Sequence, residues 1–232
     1  MSSGDAVKPV YPAPTRSEAI MTEGVEPPGE LPLFPIRGCI LPPGEHLPLN
    51  VFEPRYLNMI DDAMAGDRHI GVIQPTAQGP RERPALERVG TAGRIVSHSE
   101  TEDGRYLIVL AGVMRFAVAE ELDPLTPYRI ARADYRGFEH DLHPRPLTDD
   151  AGRAAFFTQL RRFFDLTGLE ADWDSIERAP LGAVVDKVAM AAPFDADAKQ
   201  ALLTAPTLAD RAERLSAFMD AALDSAGPSG RA

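Results

Sequence analysis

Apolar positions change their period once along the chain, near residue 147, and the change divides it into two unlike halves. Before it, apolar residues recur mainly at every second position, the spacing of strands with one buried face. Leu31, Leu33 and Ile36 come first, interleaved with Pro32 and Pro35. Proline enters a sheet only at an edge or a bulge, so this piece predicts an edge strand. Leu47, Leu49 and Val51 alternate with Pro48 and Asn50 and predict a second strand. Glu53-Pro54 then opens a helix, because proline suits the first helical position, and Gly66 predicts a left-handed stop. Along this helix Tyr56, Leu57, Ile60, Ala63 and Met64 share one face, with Arg55, Asn58, Asp61 and Asp62 opposite. Ile70, Val72 and Ile73 form a short apolar run suited to a buried strand.

A turn-rich charged loop follows from Pro75 to Arg88, and strand signals resume over 89–97, 106–111, 114–120 and 128–135. In the third of these, Met114, Phe116 and Val118 alternate with Arg115, Ala117 and Ala119, and Asp103-Gly104 marks a hairpin turn. Short strands at close spacing with a single helix among them describe a small, partly closed β-barrel.

From Leu147 the period becomes 3.6. Thr148 or Asp149 predicts the cap of a helix carrying Ala151, Ala154, Ala155, Leu160, Phe163 and Phe164 on one side, ended by Gly168. Trp173 and Ile176 sit in a short helical turn. Pro180 opens a helix with Leu181, Val184, Val185 and Val188 inward, which Pro193 ends, and Asp195 caps another over 196–204. Thr207 with Asp210 makes a capping box for a last helix, whose stripe is Leu208, Ala212, Leu215, Met219 and Leu223. The predicted fold class is α+β: a β pseudo-barrel with one inserted helix over residues 31–146, then a C-terminal helical bundle over 147–225. Residues 1–30 are Pro-rich and aperiodic and predict a disordered arm, with Val10-Tyr11 docked on the body as the alternative. Residues 226–232 predict a frayed tail.

The stretch LPLFPIRGCILPPGEHLPLNVFEPRYLNMI, from Leu31 to Ile60, resembles the opening of the Lon substrate-binding domain, the N-terminal domain of ATP-dependent Lon proteases. That domain also occurs alone and, in divergent form, in cereblon. The resemblance continues in Val89-Gly90-Thr91-Ala92, Asp103-Gly104-Arg105-Tyr106 and Gly112-Val113-Met114-Arg115-Phe116, and covers roughly residues 31 to 220. One departure is Leu41-Pro42-Pro43-Gly44, where the family usually has an aromatic residue before Pro-Gly. The resemblance implies a PUA-like barrel. Many PUA modules bind RNA, which makes the charge of this chain informative.

The 232 residues carry a net charge of −11, spread as −3, −3 and −5 over residues 1–30, 31–147 and 148–232. No segment has the dense basic footprint that phosphate neutralisation requires, so nucleic acid is an unfavourable partner. No stretch approaches the ~20 apolar residues that span a bilayer, and MSSGDAVKPV lacks the features of a signal peptide, which points to the cytoplasm. Cys39, the single cysteine, agrees with a reducing compartment and reads as a small buried hydrophobe.

No glycine-rich phosphate loop is present, and Lys8, Lys187 and Lys199 lie outside any such context. Lys187 falls on the polar side of an amphipathic helix, which is no setting for a Ser–Lys protease dyad. His140-x-x-His143 could approach a metal, but Pro144 disfavours the helical spacing that would align the two rings. Neither a cofactor nor a metal is implied.

Glu53, Arg55 and Tyr56 admit two readings. In one, Glu53 pairs with Arg55 and Tyr56 anchors the helix, so the motif serves the fold. In the other, Arg55, Tyr56 and the apolar Phe34-Pro35 edge line a groove for extended peptide, with sheet-edge bonding giving affinity without strict sequence preference. Arg115 and Phe116 fit either reading. The resemblance implies a non-catalytic cytoplasmic protein that binds unfolded polypeptide or a protein partner, as an adaptor or holdase in protein quality control. The rival classes are a PUA-like RNA-binding module, disfavoured by charge, and an uncharacterised hydrolase, disfavoured by the missing constellation. No residue pattern points to an oligomeric state.

Overall fold

The structure is a computed structural model that describes residues 27–225 apart from 81, 124, 144–146 and 148–149. Of the arm predicted over 1–30, residues up to 26 lie outside the described residues, as do the tail from 226 and the cap at Thr148 or Asp149. Residues 27–30 instead join the sheet, with Tyr135 donating to Pro28 O and Glu30 opening the first strand. The strands are β1 Glu30–Pro35, β2 His46–Val51, β3 His69–Ile73, β4 Val89–Glu100, β5 Tyr106–Leu122 and β6 Arg129–Asp134, with helix α1, Pro54–Ala65, between β2 and β3. They form one sheet in the order β2-β5-β4-β3-β1-β6, and β6 pairs back onto β5. The sheet is therefore a pseudo-barrel in which β6 returns to β5 and β2 stays outside as an edge strand, not a closed six-stranded barrel.

The edge strand is β2 and not β1. β1 lies between β3, parallel, and β6, antiparallel, although it carries two prolines. The two ladders are staggered: β6 pairs with residues 30–33 and β3 with residues 33–35, so only Leu33 has partners on both sides. Gly29 O accepts from Ala133 N, which directs the odd residues of β1 towards β6 and the even ones towards β3. Pro32 thus turns its missing N–H towards β3, before that pairing begins. Pro35 would fall opposite Pro127 if the β6 register ran on, and neither can donate. The ladder ends there, and the sheet opens.

Three further expectations change. The two strands expected over 106–111 and 114–120 are one strand of 17 residues. It passes through Gly112, where a Cβ would collide with the Pro42 carbonyl of the Leu41-Pro42-Pro43-Gly44 stretch crossing over it. Gly66 caps α1 at φ −105°, outside the left-handed region; the left-handed residue is Arg68, at φ 66°. On α1 itself Tyr56, Met59, Ile60 and Ala63 are buried, while Leu57 and Met64 are only half-buried.

The second half comprises α2 Asp150–Thr167, α3 Trp173–Arg178, α4 Leu181–Ala191, α5 Ala196–Leu203 and α6 Leu208–Ser225. Asp195 accepts from Ala198 N at 2.7 Å and Asp210 exchanges bonds with Thr207, as the sequence predicts. On α2 the inward face is Phe156, Phe157, Leu160 and Phe163, whereas Ala154 and Ala155 are exposed. Four large side chains bury far more apolar area than two methyl groups, and that decides which face turns in.

The halves share one joint. Ile40, from the β1–β2 connection, packs into the helical core. Gln74 donates to Gln200 Oε1 (3.0 Å) and to Ala196 O (2.9 Å), and accepts from Gly38 N (2.8 Å).

Candidate functional site

Around the gap where β1 parts from β6, the structure gathers five of the seven residues singled out in the sequence. Pro35, Arg55 and Tyr56 line a cavity of about 150 Å³ together with Leu33, Pro75, Glu82, Pro84, Pro127, Tyr128 and Arg129. Phe34 lies beneath, its ring centroid 4.5 Å from that of Tyr56. Glu53 accepts from Arg55 Nη2 at 2.8 Å, and the guanidinium sits 4.6 Å over the Tyr56 ring. Glu53 and Arg55 pair locally, and the same arginine lines the cavity.

Each wall has a local cause. Pro54 starts α1 and sets Arg55 and Tyr56 in its first turn, so Tyr56 turns onto Phe34 while Arg55 stays exposed. Pro75 pairs with Leu86 across an isolated bridge, which folds the 75–88 loop over the groove. Arg129 donates to Pro84 O at 2.7 Å and to Glu121, holding that loop against the start of β6. Tyr128 donates to Asp62 at 2.6 Å, and burial together with this bond pushes its hydroxyl pKa up to about 12. Tyr56 is only 7% exposed, and no hydrogen bond involves its hydroxyl among the described residues; burial raises its pKa as well.

Arg115 and Phe116 are placed elsewhere. Phe116 is fully buried beneath Gly71 and Gly90; at Gly90 a Cβ would also come within 2.6 Å of Val72 O. Arg115, 2% exposed, is the hub of the joint between sheet and bundle. Its Nε donates to Asp141 Oδ2 (2.8 Å) and its Nη2 to Asp141 Oδ1 (2.7 Å), while Nη1 donates to the carbonyls of Leu203 (3.0 Å) and Ala205 (2.6 Å). His140 Nε2 lies 2.8 Å from both Arg115 Nη2 and Pro206 O, in a 3-10 turn over Glu139–Leu142. A second buried pair, Arg211 with Asp186 at 2.5 Å, stands nearby, and burial raises the Asp186 pKa against the pull of Arg211. Both pairs border a cavity of about 560 Å³ at the joint. Sequence reasoning missed this centre, because the only signals are single charged residues in otherwise apolar segments. Each arginine there is matched by an aspartate, and the contacts it makes tie the two halves together.

His69 is 2% exposed; its Nδ1 lies 3.5 Å from Asp67 Oδ1, and neither ring nitrogen has a hydrogen-bond partner among the described residues. Burial lowers its pKa, with Asp67 opposing and Arg94 assisting. The folded state therefore holds the ring neutral below the unfolded value near 6.5. The unfolded chain binds the extra proton, so stability is intact above about pH 6.5 and falls as the pH drops towards the folded pKa. Urea midpoints at pH 7 and pH 5 are expected to differ more for the wild type than for His69→Leu. Equal differences would show that the ring is solvated. Cys39, expected to be a small buried hydrophobe, is only half-buried, and desolvation pushes its thiol pKa up.

No helix among the described residues is long and apolar enough to cross a membrane. The model of the ATP-dependent protease La (LON) substrate-binding domain matches residues 30–221. A Lon protease of Cytophaga hutchinsonii is 29% identical over 138 residues, 58% of this chain and 16% of that protein. Lon protease 4 of Sorangium cellulosum is 29% identical over 201 residues, 83% of this chain and 24% of that protein. The chain thus spans less than two thirds, and here at most 24%, of the relatives it matches. Two solved structures share the fold at a TM-score of 0.58, each covering 82% of this chain and 98% of its own: a Lon N-terminal domain protein from Xanthomonas campestris, 24% identical, and the N-terminal domain of Mycobacterium avium complex Lon protease, 16% identical.

Proposed function

This chain belongs to the LON substrate-binding domain family, and from that premise we propose that it binds unfolded polypeptide in the groove beside Pro35, Arg55 and Tyr56. It performs no catalysis of its own and serves in the cytoplasm as an adaptor or holdase. The observation that carries the reading is the gap in the sheet. The ladder stops after Leu33 and Arg129, where Pro35 and Pro127 have no N–H to donate, and proline and tyrosine side chains line the opening together with Leu33, Arg55, Glu82 and Arg129. No hydrogen bond involves the Tyr56 hydroxyl among the described residues. Strand addition is restricted there, because two prolines supply carbonyl acceptors and no donor. Recognition therefore works mainly through side chains, which suits weak binding to chains that must be ordered on docking.

The test titrates labelled reduced casein and a labelled RNA oligomer against wild type and an Arg55→Ala/Tyr56→Phe variant, at 50 and 200 mM salt. Casein is expected to bind the wild type, to bind the variant more weakly, and to depend far less on salt than an RNA complex with six to ten phosphate contacts, which would lose roughly a thousandfold or more. Tight RNA binding without casein binding would replace this reading with the RNA-binding one. Equal casein binding to both proteins would remove the groove from the account.

A further inference from the structure

We propose that the groove selects polypeptide segments in which a basic residue adjoins a small apolar one; this rests on the polypeptide-binding reading above. Two adjoining cavities carry it. The first, about 150 Å³, is half the ~300 Å³ lower bound of pockets for drug-sized ligands, and it is walled by Leu33, Pro35, Tyr56, Pro84, Pro127 and Tyr128. It has room for one small apolar residue of an extended chain and none for a helix, whose diameter with side chains is about 10–12 Å.

The second cavity, about 200 Å³, shares Arg55, Glu82, Pro127, Tyr128 and Arg129 with the first and adds Arg83, Asp123 and Thr126. Its three arginines share two carboxylates: Arg55 pairs with Glu53 at 2.8 Å, while Arg83 (3.7 Å) and Arg129 both pair with Glu121. Glu82 and Asp123 form no ion pair among the described residues. Counted with those two partners, four carboxylates stand against three arginines among the described residues, a formal balance of −1. At the gap itself Pro35 and Pro127 add carbonyls and no N–H beside the Glu82 and Asp123 carboxylates. Lysine and arginine side chains are donors only, which matches these acceptors. A protein of net charge −11 also draws basic chains towards it before contact.

The experiment uses the full chain and fluorescence anisotropy of otherwise identical labelled peptides in which Ala-Pro is followed by Arg, Gln or Glu. The Arg peptide is expected to bind about tenfold more tightly than the Glu peptide at 50 mM salt, with the ratio shrinking at 200 mM. In the Glu82→Gln/Asp123→Asn variant the ratio should fall towards one. A Glu213→Gln/Asp220→Asn variant removes the same charge from exposed positions on α6 and should keep the preference. Casein binding without any Arg-over-Glu preference would overturn the selectivity and leave the polypeptide reading standing. A preference that survives in the Glu82→Gln/Asp123→Asn variant, or that vanishes equally in the control, would also overturn it. Failure of casein and of every peptide to bind would overturn both.

Discussion

Truncation of Arg115 to alanine is expected to cost about 3–5 kcal/mol of stability, the range for breaking a buried ion pair by removing one partner. Asp141 would be left buried with most of its hydrogen bonds gone, and the Leu203 and Ala205 carbonyls would lose their donor. Against a total stability of about 5–15 kcal/mol, the loss would bring the protein close to unfolding. A lysine at this position should recover little, because one ammonium cannot reproduce the fork that reaches a carboxylate and two carbonyls at once. Arg115→Met/Asp141→Leu should be more stable than Arg115→Ala, since no charge is then buried alone. Urea denaturation of the four proteins checks the order. A loss below about 1 kcal/mol for Arg115→Ala, the range of exposed pairs, would mean that the joint is solvated.

Met59→Ala is the second large effect, at about 2–5 kcal/mol, the range for truncating a buried methionine. Met59 is 0% exposed and packs under α1 with Ile60, Ile70 and Ile108, so its loss leaves a cavity that the sheet cannot close around. Leu57→Ala should cost clearly less, because Leu57 is half-buried and already touches water. Denaturant midpoints decide it. Equal losses for the two variants would show that α1 is rolled relative to the contacts described.

These two residues also show where the sequence stops being informative. Periodicity identifies α1 and its inward side, but Leu57 and Met59 are both apolar and flank Tyr56 and Ile60, so spacing alone does not rank them. The helix rotates until Tyr56 meets Phe34 and Met59 fills the floor. Arg115 is harder. Its alternation with Met114 and Phe116 suggests a strand with one solvated face, yet residues 113–116 are buried on both faces because the bundle covers the second. Strand period reports that side chains alternate. What covers each side is a tertiary fact.

Prolines give the opposite lesson. Pro32 and Pro35 correctly signal that β1 cannot pair regularly, but the inference from them to an edge strand fails, because staggered ladders let each proline occupy a stretch with one neighbour only. Pro127 lies 92 residues from Pro35 in the sequence and would fall opposite it if the β6 register ran on. Nothing local to either position reveals that juxtaposition, and the ladder stops short of it.

The most direct test of the account is to map the amide shifts of the labelled full chain on adding reduced casein. Perturbations concentrated at Leu33, Phe34, Arg55, Tyr56, Glu82, Thr126, Tyr128 and Arg129 are the predicted result. Perturbations concentrated at the joint, around Arg115, Asp141, Asp186 and Arg211, or along the open edge of β2, with the groove silent, would contradict it.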